Sequence, residues 1–395
     1  MNSNDPSVLI TQLNDLREKL SGNDKGVRKE ALRLSQKLAA SLERPEDVAF
    51  GLAYLPFRSM AARIAVDLDL FKLVVSHDDG ITSKELASLS GGEELLIIRI
   101  LRFLSSIGII DETGERAWKP NPITKAMATE WITATHRVIG GVVVEGAQQA
   151  PKYMRENGYR CPVDPHDGPV QYAFQTKLNT YQLMSSMPNA VKDFNVFMEN
   201  RMRVRSRWLD WFPVKEYLLK GVDVDKQSVL LVDVAGGNGH DLLEFYQRFP
   251  HKQGRLILQD LPPVIDGIKG LDESIERMAY DFFTEQPVKG ARCYFYHHIL
   301  HNWSDEPCLK ILHRVKTAMK PGYSKLLLYE RIVPEQGAPA DHSRSDVVMM
   351  TITAGMERTD SQWRELLEKA GFAILNIWPP VEEDAEGIIE AMIMG

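Results

Sequence analysis

The chain has 395 residues, of which 44% are hydrophobic and 26% charged. That is the composition of a folded globular protein, and the length predicts more than one domain. Its 47 basic and 54 acidic residues leave a formal charge of −7, which argues against a nucleic-acid binder, since such proteins need a basic surface.

Three widely spaced cysteines, Cys161, Cys293 and Cys308, show no metal-ligand pattern and read as free thiols in a reducing compartment. The N-terminus lacks a basic segment followed by an apolar one, and no apolar run approaches the ~18 residues of a membrane span. A cytoplasmic protein with neither metal nor membrane partner is expected.

Residues 6–44 read as two amphipathic helices broken at Ser21-Gly22-Asn23-Asp24, with Val8, Leu9, Leu13 and Leu16 on one face and Leu32, Leu34, Leu38 and Leu42 on the other. Residues 58–123 follow the order of a winged helix. A capping box at Thr82-Ser83-Lys84-Glu85 opens a short helix. A strongly apolar helix spans 93–106, and two strands near Ile109–Ile110 and Ala117–Trp118 are joined at Thr113-Gly114. The apolar helix carries Leu95, Leu96, Ile97, Ile98, Ile100, Leu101, Phe103 and Leu104, with only Arg99 and Arg102 basic. A helix apolar nearly all round requires burial, so a dimer interface or packed core is favoured over DNA reading.

Residues 124–220 read as mainly helical, with a loop around Pro162–Pro169. From 228 onward, short apolar strands alternate with helices: Val229–Val234, Arg255–Gln259, Arg292–His297 and Ser324–Glu330, then Gly371–Ile377 and Ile388–Ile393 as a closing pair. This alternation predicts a parallel sheet covered by helices on both faces. The organisation expected is 1–123, 124–220 as a helical substrate-pocket region, and 221–395.

The strand Val229–Val234 runs into Ala235-Gly236-Gly237-Asn238-Gly239 and a helix through Leu242 and Phe245. Glycines permit the sharp turn and let a ligand approach bare backbone, a pattern that serves dinucleotides, S-adenosylmethionine (SAM) or tight packing. Asp260 ends the next strand, placed to accept hydrogen bonds from a ribose diol. Three features favour SAM. His240 stands where the dinucleotide fingerprint wants a small residue. Asp281-Phe282-Phe283 suits an adenine with a polar edge and an apolar face. The strand ending at His297 leads into His298-Ile299-Leu300-His301-Asn302-Trp303-Ser304-Asp305.

The ordered set Val-Asp-Val-Ala-Gly-Gly-Asn-Gly, Gln-Asp-Leu-Pro, Asp-Phe-Phe, Ile-Leu-His-Asn-Trp-Ser-Asp-Glu and Gly-Met-Glu-Arg-Thr resembles the class I SAM-dependent O-methyltransferases of the caffeic-acid type, especially fungal members acting on secondary metabolites. The likeness runs from about residue 50 to the C-terminus. It implies a Rossmann-like α/β methyltransferase domain with a mostly parallel seven-stranded sheet, and an N-terminal α-helical winged-helix dimerisation domain. Residue by residue, it implies that Gly236, Gly237 and Gly239 surround the cofactor's amino-acid part. Asp260 would bind the ribose, Asp281 and Phe282 the adenine, and Trp303 would pack nearby. His301 matches the general base, flanked by Glu330 and Glu357, while His297 stands at a basic cofactor-side position. Three departures are Ala235 for a glycine, Asn302 for an aspartate, and His297 for lysine or arginine.

Methyl transfer from a sulfonium needs a nucleophilic oxygen aligned with the methyl carbon. A phenol, with pKa near 10, is scarcely ionised at neutral pH, so a histidine accepting its proton contributes roughly 10²–10⁴-fold. A carboxylate beside the imidazole holds one tautomer and raises its basicity. His297 and His298 alternate along a strand, which predicts one buried and one on the cofactor side. Met349, Met350 and Met356 read as substrate wall or core filler, and Arg201, Arg203, Arg205 and Arg207 as solvated or ion-paired. The reading reached is an O-methyltransferase of a small aromatic or enolic substrate, forming a homodimer. The alternatives are a SAM-binding enzyme of dehydration or pericyclic rearrangement without net methyl transfer, and a regulatory SAM-binding dimer.

Overall fold

A computed structural model describes residues 5–22, 24–203, 207–223, 227–382 and 385–394, the side chains of 201–203 excepted. Asn23 of the expected helix break and the arginine side chains at 201, 203 and 205 lie outside the described set, whereas Arg207 pairs with Glu244 at 3.0 Å. The chain divides into two compact units, Met1–Thr129 and Glu130–Gly395.

In the first unit, helices Pro6–Leu20 and Lys25–Leu42 flank the expected break, each opened by an aspartate side chain, Asp5 or Asp24, that accepts backbone N–H groups of the first turn. Of their apolar faces only Leu9 and Leu34, with Ala31, are buried, while Leu32 and Leu42 are exposed. Thr82 and Glu85 close the capping box of helix Ser83–Ser90, and helix Glu94–Ser106 buries Ile97, Ile98, Ile100, Leu101 and Leu104.

Strands β1 (Ile81–Thr82), β2 (Asp111–Gly114) and β3 (Ala117–Lys119) form an antiparallel sheet in the order β1-β3-β2. The first expected strand therefore starts at Asp111 rather than Ile109. The carbonyl of Ile109 is taken by the Thr124 hydroxyl and that of Gly108 by the Asn121 amide, both from the next helix opening, and buried Ile110 plugs the core instead. The turn falls at Glu115-Arg116, with Arg116 at φ +57°, and not at Thr113-Gly114.

The second unit opens with the helices Glu130–Val138, Val144–Glu156, Pro169–Phe174, Thr180–Ser186 and Ala190–Arg203. A seven-stranded sheet follows, built from β4 (Val229–Val234), β5 (Arg255–Asp260), β6 (Ile275–Ala279), β7 (Cys293–His297) and β8 (Lys325–Glu330), then β11 (Ala373–Trp378) and β12 (Gly387–Met392). The short β9 (Ile332–Val333) and β10 (Arg358–Thr359) pair separately. The order is β11-β12-β8-β7-β4-β5-β6, parallel except where β12 pairs antiparallel with β8 and β11. Strand β6 carries Glu276 and Arg277 in an edge position, with only Ile275 buried, so it lacks the continuous apolar run of its neighbours.

Alternation places Tyr294, Tyr296, Leu326 and Leu328 in one core and Phe295, Leu327 and Tyr329 in the other, on the two faces of the sheet. Residues 340–353 form the helix Ala340–Thr353. Its polar and β-branched residues lack an apolar stripe, and tertiary contacts of Ser345 and Asp346 hold it in place. Among the described residues no helix is long and apolar enough to cross a membrane.

Trp208 anchors the second core. It is fully buried, stacks on Phe295 at 4.9 Å, and donates its indole N–H to Asp241 at 3.0 Å. Trp208→Ala is expected to lower unfolding stability by about 3–5 kcal/mol, read as a shift of the urea midpoint. A shift under 1 kcal/mol would refute the anchoring role.

Candidate active site

Strands β4, β5, β7 and β8 are adjacent and parallel, so their carboxyl ends form one edge of the sheet, where ligands of open α/β sheets bind. Past β4, Ala235, Gly237 and Gly239 take positive φ of 60°, 57° and 77° before helix His240–Arg248. Alanine in that region carries a strain of about 1 kcal/mol that glycine avoids. A Cβ on Gly236 would lie 2.3 Å from Oδ2 of Asp233 and 2.7 Å from Cδ1 of Leu258. Glycine is required there by close approach.

Asp260 turns back over this bend, its Oδ2 accepting the Gly237 N–H at 2.8 Å and its Oδ1 the Leu261 N–H at 2.7 Å. Burial raises its pKa. Beneath the bend, Asp233 is 1% exposed and neither carboxylate oxygen has a hydrogen-bond partner among the described residues. Burial, then the charges of Asp241 and Asp260, push its pKa well above the usual range. An orphaned carboxylate under a bare-backbone turn is suited to a cationic ligand group such as an ammonium.

His297 pairs with Asp241, Nδ1 to Oδ2 at 2.7 Å, and its ring lies 4.4 Å from that of Tyr329. Burial disfavours the Asp241 carboxylate, but the His297 charge and hydrogen bond and the Trp208 indole outweigh it, so its pKa is lowered. The expected alternation of His297 and His298 does not hold. Strand β7 ends at His297, His298 adopts φ +54°, and both are half-buried.

Asp281 is exposed and caps its own turn, accepting the Phe283 N–H at 2.9 Å. Phe282 and Phe283 meet Trp303 edge-on, with centroids at 6.0 and 4.9 Å. These four residues form one aromatic-lined corner with a polar edge.

His301 lies in the short helical turn Leu300–Asn302 and is 7% exposed. Its Nδ1 is 3.0 Å from Oε1 of Glu357, an oxygen that also accepts the Ser345 hydroxyl at 2.7 Å and faces Arg331 Nη1 at 3.4 Å. Burial opposes ionisation of Glu357, but the His301 charge and hydrogen bond, then Ser345 and Arg331, hold its pKa down at about 2. Beside an ionised carboxylate the neutral imidazole favours the tautomer with its proton on Nδ1 and its lone pair on Nε2. For His301, burial works against the cation, yet the charges of Glu357 and Glu330 and the hydrogen bond prevail, and its pKa is raised.

Glu330, at the end of β8, does not hydrogen-bond His301. Its Oε1 accepts the Ile299 and Leu300 N–H groups at 3.0 and 2.8 Å, fixing the turn that carries the histidine. Burial raises its pKa. From the other side, Met356 N–H donates to the His301 carbonyl at 2.9 Å, and buried Arg358 donates to the carbonyls of Leu300 and Trp303.

The sequence reading assigned no role to Asp233, Asp241, Arg331, Ser345, Asp346 or Arg358. Asp233 had a visible signal, a carboxylate inside an otherwise apolar strand. The others pair with residues on different elements and leave no local pattern.

Residues 179–373 match an O-methyltransferase domain family. The O-methyltransferase penC of Penicillium thymicola is 48% identical over 390 residues, covering 98% of this chain and 97% of its own. Two solved structures are similar along 98% of this chain and 99% of theirs, each with TM-score 0.83: LepI in complex with SAM, at 27% identity, and a pericyclic reaction enzyme, at 28%. The glycine bend, the orphaned Asp233 carboxylate and the Asp260 carboxylate are compatible with SAM. With the fold, the sheet-edge site and a near-full-length relative in agreement, the chain belongs to the SAM-dependent O-methyltransferase family.

Proposed function

We propose that the chain methylates a hydroxyl of a small aromatic or enolic metabolite, with His301 as the general base. The observation that carries this reading is the buried His301–Glu357 pair at the carboxyl edge of the sheet, which in the neutral imidazole holds the proton on Nδ1 and turns the Nε2 lone pair outward. SAM, when bound, supplies an electrophilic methyl group on a sulfonium. Gly236, Gly237 and Gly239 would admit its amino-acid part, Asp260 its ribose, and Asp281, Phe282 and Trp303 its adenine, with His297 held by Asp241 on the same side.

Nε2 of His301 takes the acceptor's hydroxyl proton as the oxygen attacks, and the ionised Glu357 supports the imidazolium that forms. Glu330 fixes the turn, and its charge acts with that of Glu357 to raise the His301 pKa.

For the first unit we favour a winged-helix dimerisation role. Val48, Phe50, Leu52, Tyr54, Leu55, Phe57 and Met60 form a run of exposed apolar residues over helices Pro45–Leu52 and Leu55–Asp67. Patches of this kind mark interaction surfaces, and most soluble oligomers are homo-oligomers. Cys161, Cys293 and Cys308 are unpaired, which fits the reducing cytoplasm.

With labelled SAM and a panel of phenolic and enolic acceptors, product is expected to gain one methyl group. His301→Ala should lose about 10²–10⁴-fold in turnover while retaining cofactor affinity, and undiminished turnover would remove the assigned base. Product formed with SAM left intact would instead support the rearrangement reading.

The base works only as neutral imidazole, so activity should rise with pH through the elevated His301 pKa and then level off. Glu357→Gln removes the charge that raises it. Its acid limb should move to lower pH and its plateau should fall, and an unmoved limb in the pH–rate profile would contradict the coupling. Sedimentation should give a dimer mass that Phe50→Asp with Phe57→Asp reduces to a monomer. A monomeric wild type would refute the dimer.

A further inference from the structure

The crevice contains an arrangement that proton transfer does not use. His298, His301 and Glu330 each present one donor atom, and no two of these atoms are more than 4.8 Å apart. Glu330 is fully buried. Its Oε1 is engaged by two backbone N–H groups, while its Oε2 has no hydrogen-bond partner among the described residues. His301 is committed to Glu357 through Nδ1, which directs Nε2 away from that carboxylate. The His298 ring lies edge-on to His301, with centroids 4.9 Å apart, and its Nε2 is 3.1 Å from Oε1 of buried Glu386.

Two imidazoles and one carboxylate are the protein ligands of an open, four-coordinate zinc site. A carboxylate behind each ligating imidazole is the outer shell that orients such histidines. Here Glu357 stands behind His301 and Glu386 beside His298. Glu330, Glu357 and Glu386 surround the two rings, and Arg331 is the cation that faces Glu357. The local balance therefore favours a dication.

We infer that His298, His301 and Glu330 bind one Zn²⁺ ion, and that the ion silences the enzyme by occupying the Nε2 lone pair on which proton transfer depends. The fourth position is left to water. Zinc–ligand bonds of ~2.0–2.2 Å set ligand atoms roughly 3.3 Å apart in a tetrahedron, so the widest separation must close by about 1.5 Å. His298 supplies that movement. It is the outermost of the three, with its side chain 13% exposed, and it sits beyond the end of β7. This site departs from the metal-free one expected from sequence: His298 and His301 stand three residues apart, and the third ligand, Glu330, comes from the end of the neighbouring strand. The inhibitory consequence rests on His301 being the base, whereas the binding itself does not.

The test uses the full chain, stripped with EDTA and titrated first with Co²⁺ and then with Zn²⁺. One Co²⁺ per chain is expected, with the visible absorption of a four-coordinate ion, displaced by Zn²⁺. Methyl transfer should be inhibited by Zn²⁺ and restored by EDTA. His298→Asn, which tolerates the left-handed backbone, should weaken Co²⁺ binding at least tenfold, whereas exposed His77→Ala should not. Glu330→Gln should show the same loss, with circular dichroism reporting retention of the fold. A six-coordinate spectrum, or unchanged affinity in folded His298→Asn, overturns the site. Since the spectrum needs no methyl acceptor, failure of the metal site and failure of the methyl-transfer reading are separately visible.

Discussion

One carboxylate oxygen organises the reactive end of this protein. Oε1 of Glu357 receives the His301 ring, the Ser345 hydroxyl and the Arg331 guanidinium in a fully buried setting. An unpaired carboxylate there would carry a large desolvation cost, and each donor lowers that cost while constraining the others. The imidazole is held in one tautomer by the same contact that stabilises the charge. Tautomer, ring orientation and basicity thus follow from a single junction between elements 56 residues apart in sequence.

The scaffold makes this junction possible by converging elements on one sheet edge. Glu330 is delivered by the end of β8 and His301 by the turn after the neighbouring β7. Glu357 comes just before the helix capped by Thr359. Gly355 leaves room for the chain to pass, since a Cβ there would lie 2.2 Å from the His301 carbonyl oxygen. Arg358 ties the same segment to Leu300 and Trp303. The histidine is therefore held from both sides by hydrogen bonds to backbone groups, as its proposed role as base requires.

Across the crevice stands a second group of buried acids. Asp233, Asp241 and Asp260 gather under and beside the glycine bend, answered among the described residues by His297, the Trp208 indole and backbone N–H groups. An excess of buried acid carries a desolvation cost that a cationic ligand relieves. His297, placed where a lysine or arginine is usual, binds Asp241 and leaves Asp233 unanswered.

Most of the sheet was legible from sequence, because buried parallel strands are short apolar runs bounded by turns, and β4 was read to the residue. The glycine bend and the turn after β7 that carries His301 were also readable, since backbone turns and the run around Asn302-Trp303 are local. Other features were decided only in three dimensions. Edge strand β6 carries charge, and helix Ala340–Thr353 has no apolar stripe, so neither announces itself locally. The strand at Ile109 was displaced because a later helix cap claims its carbonyl. Arg331, Ser345 and Asp241 acquire their partners through folding alone. Local sequence encodes periodicity and turn chemistry, while the pairing of buried charges depends on which chain ends the sheet brings together.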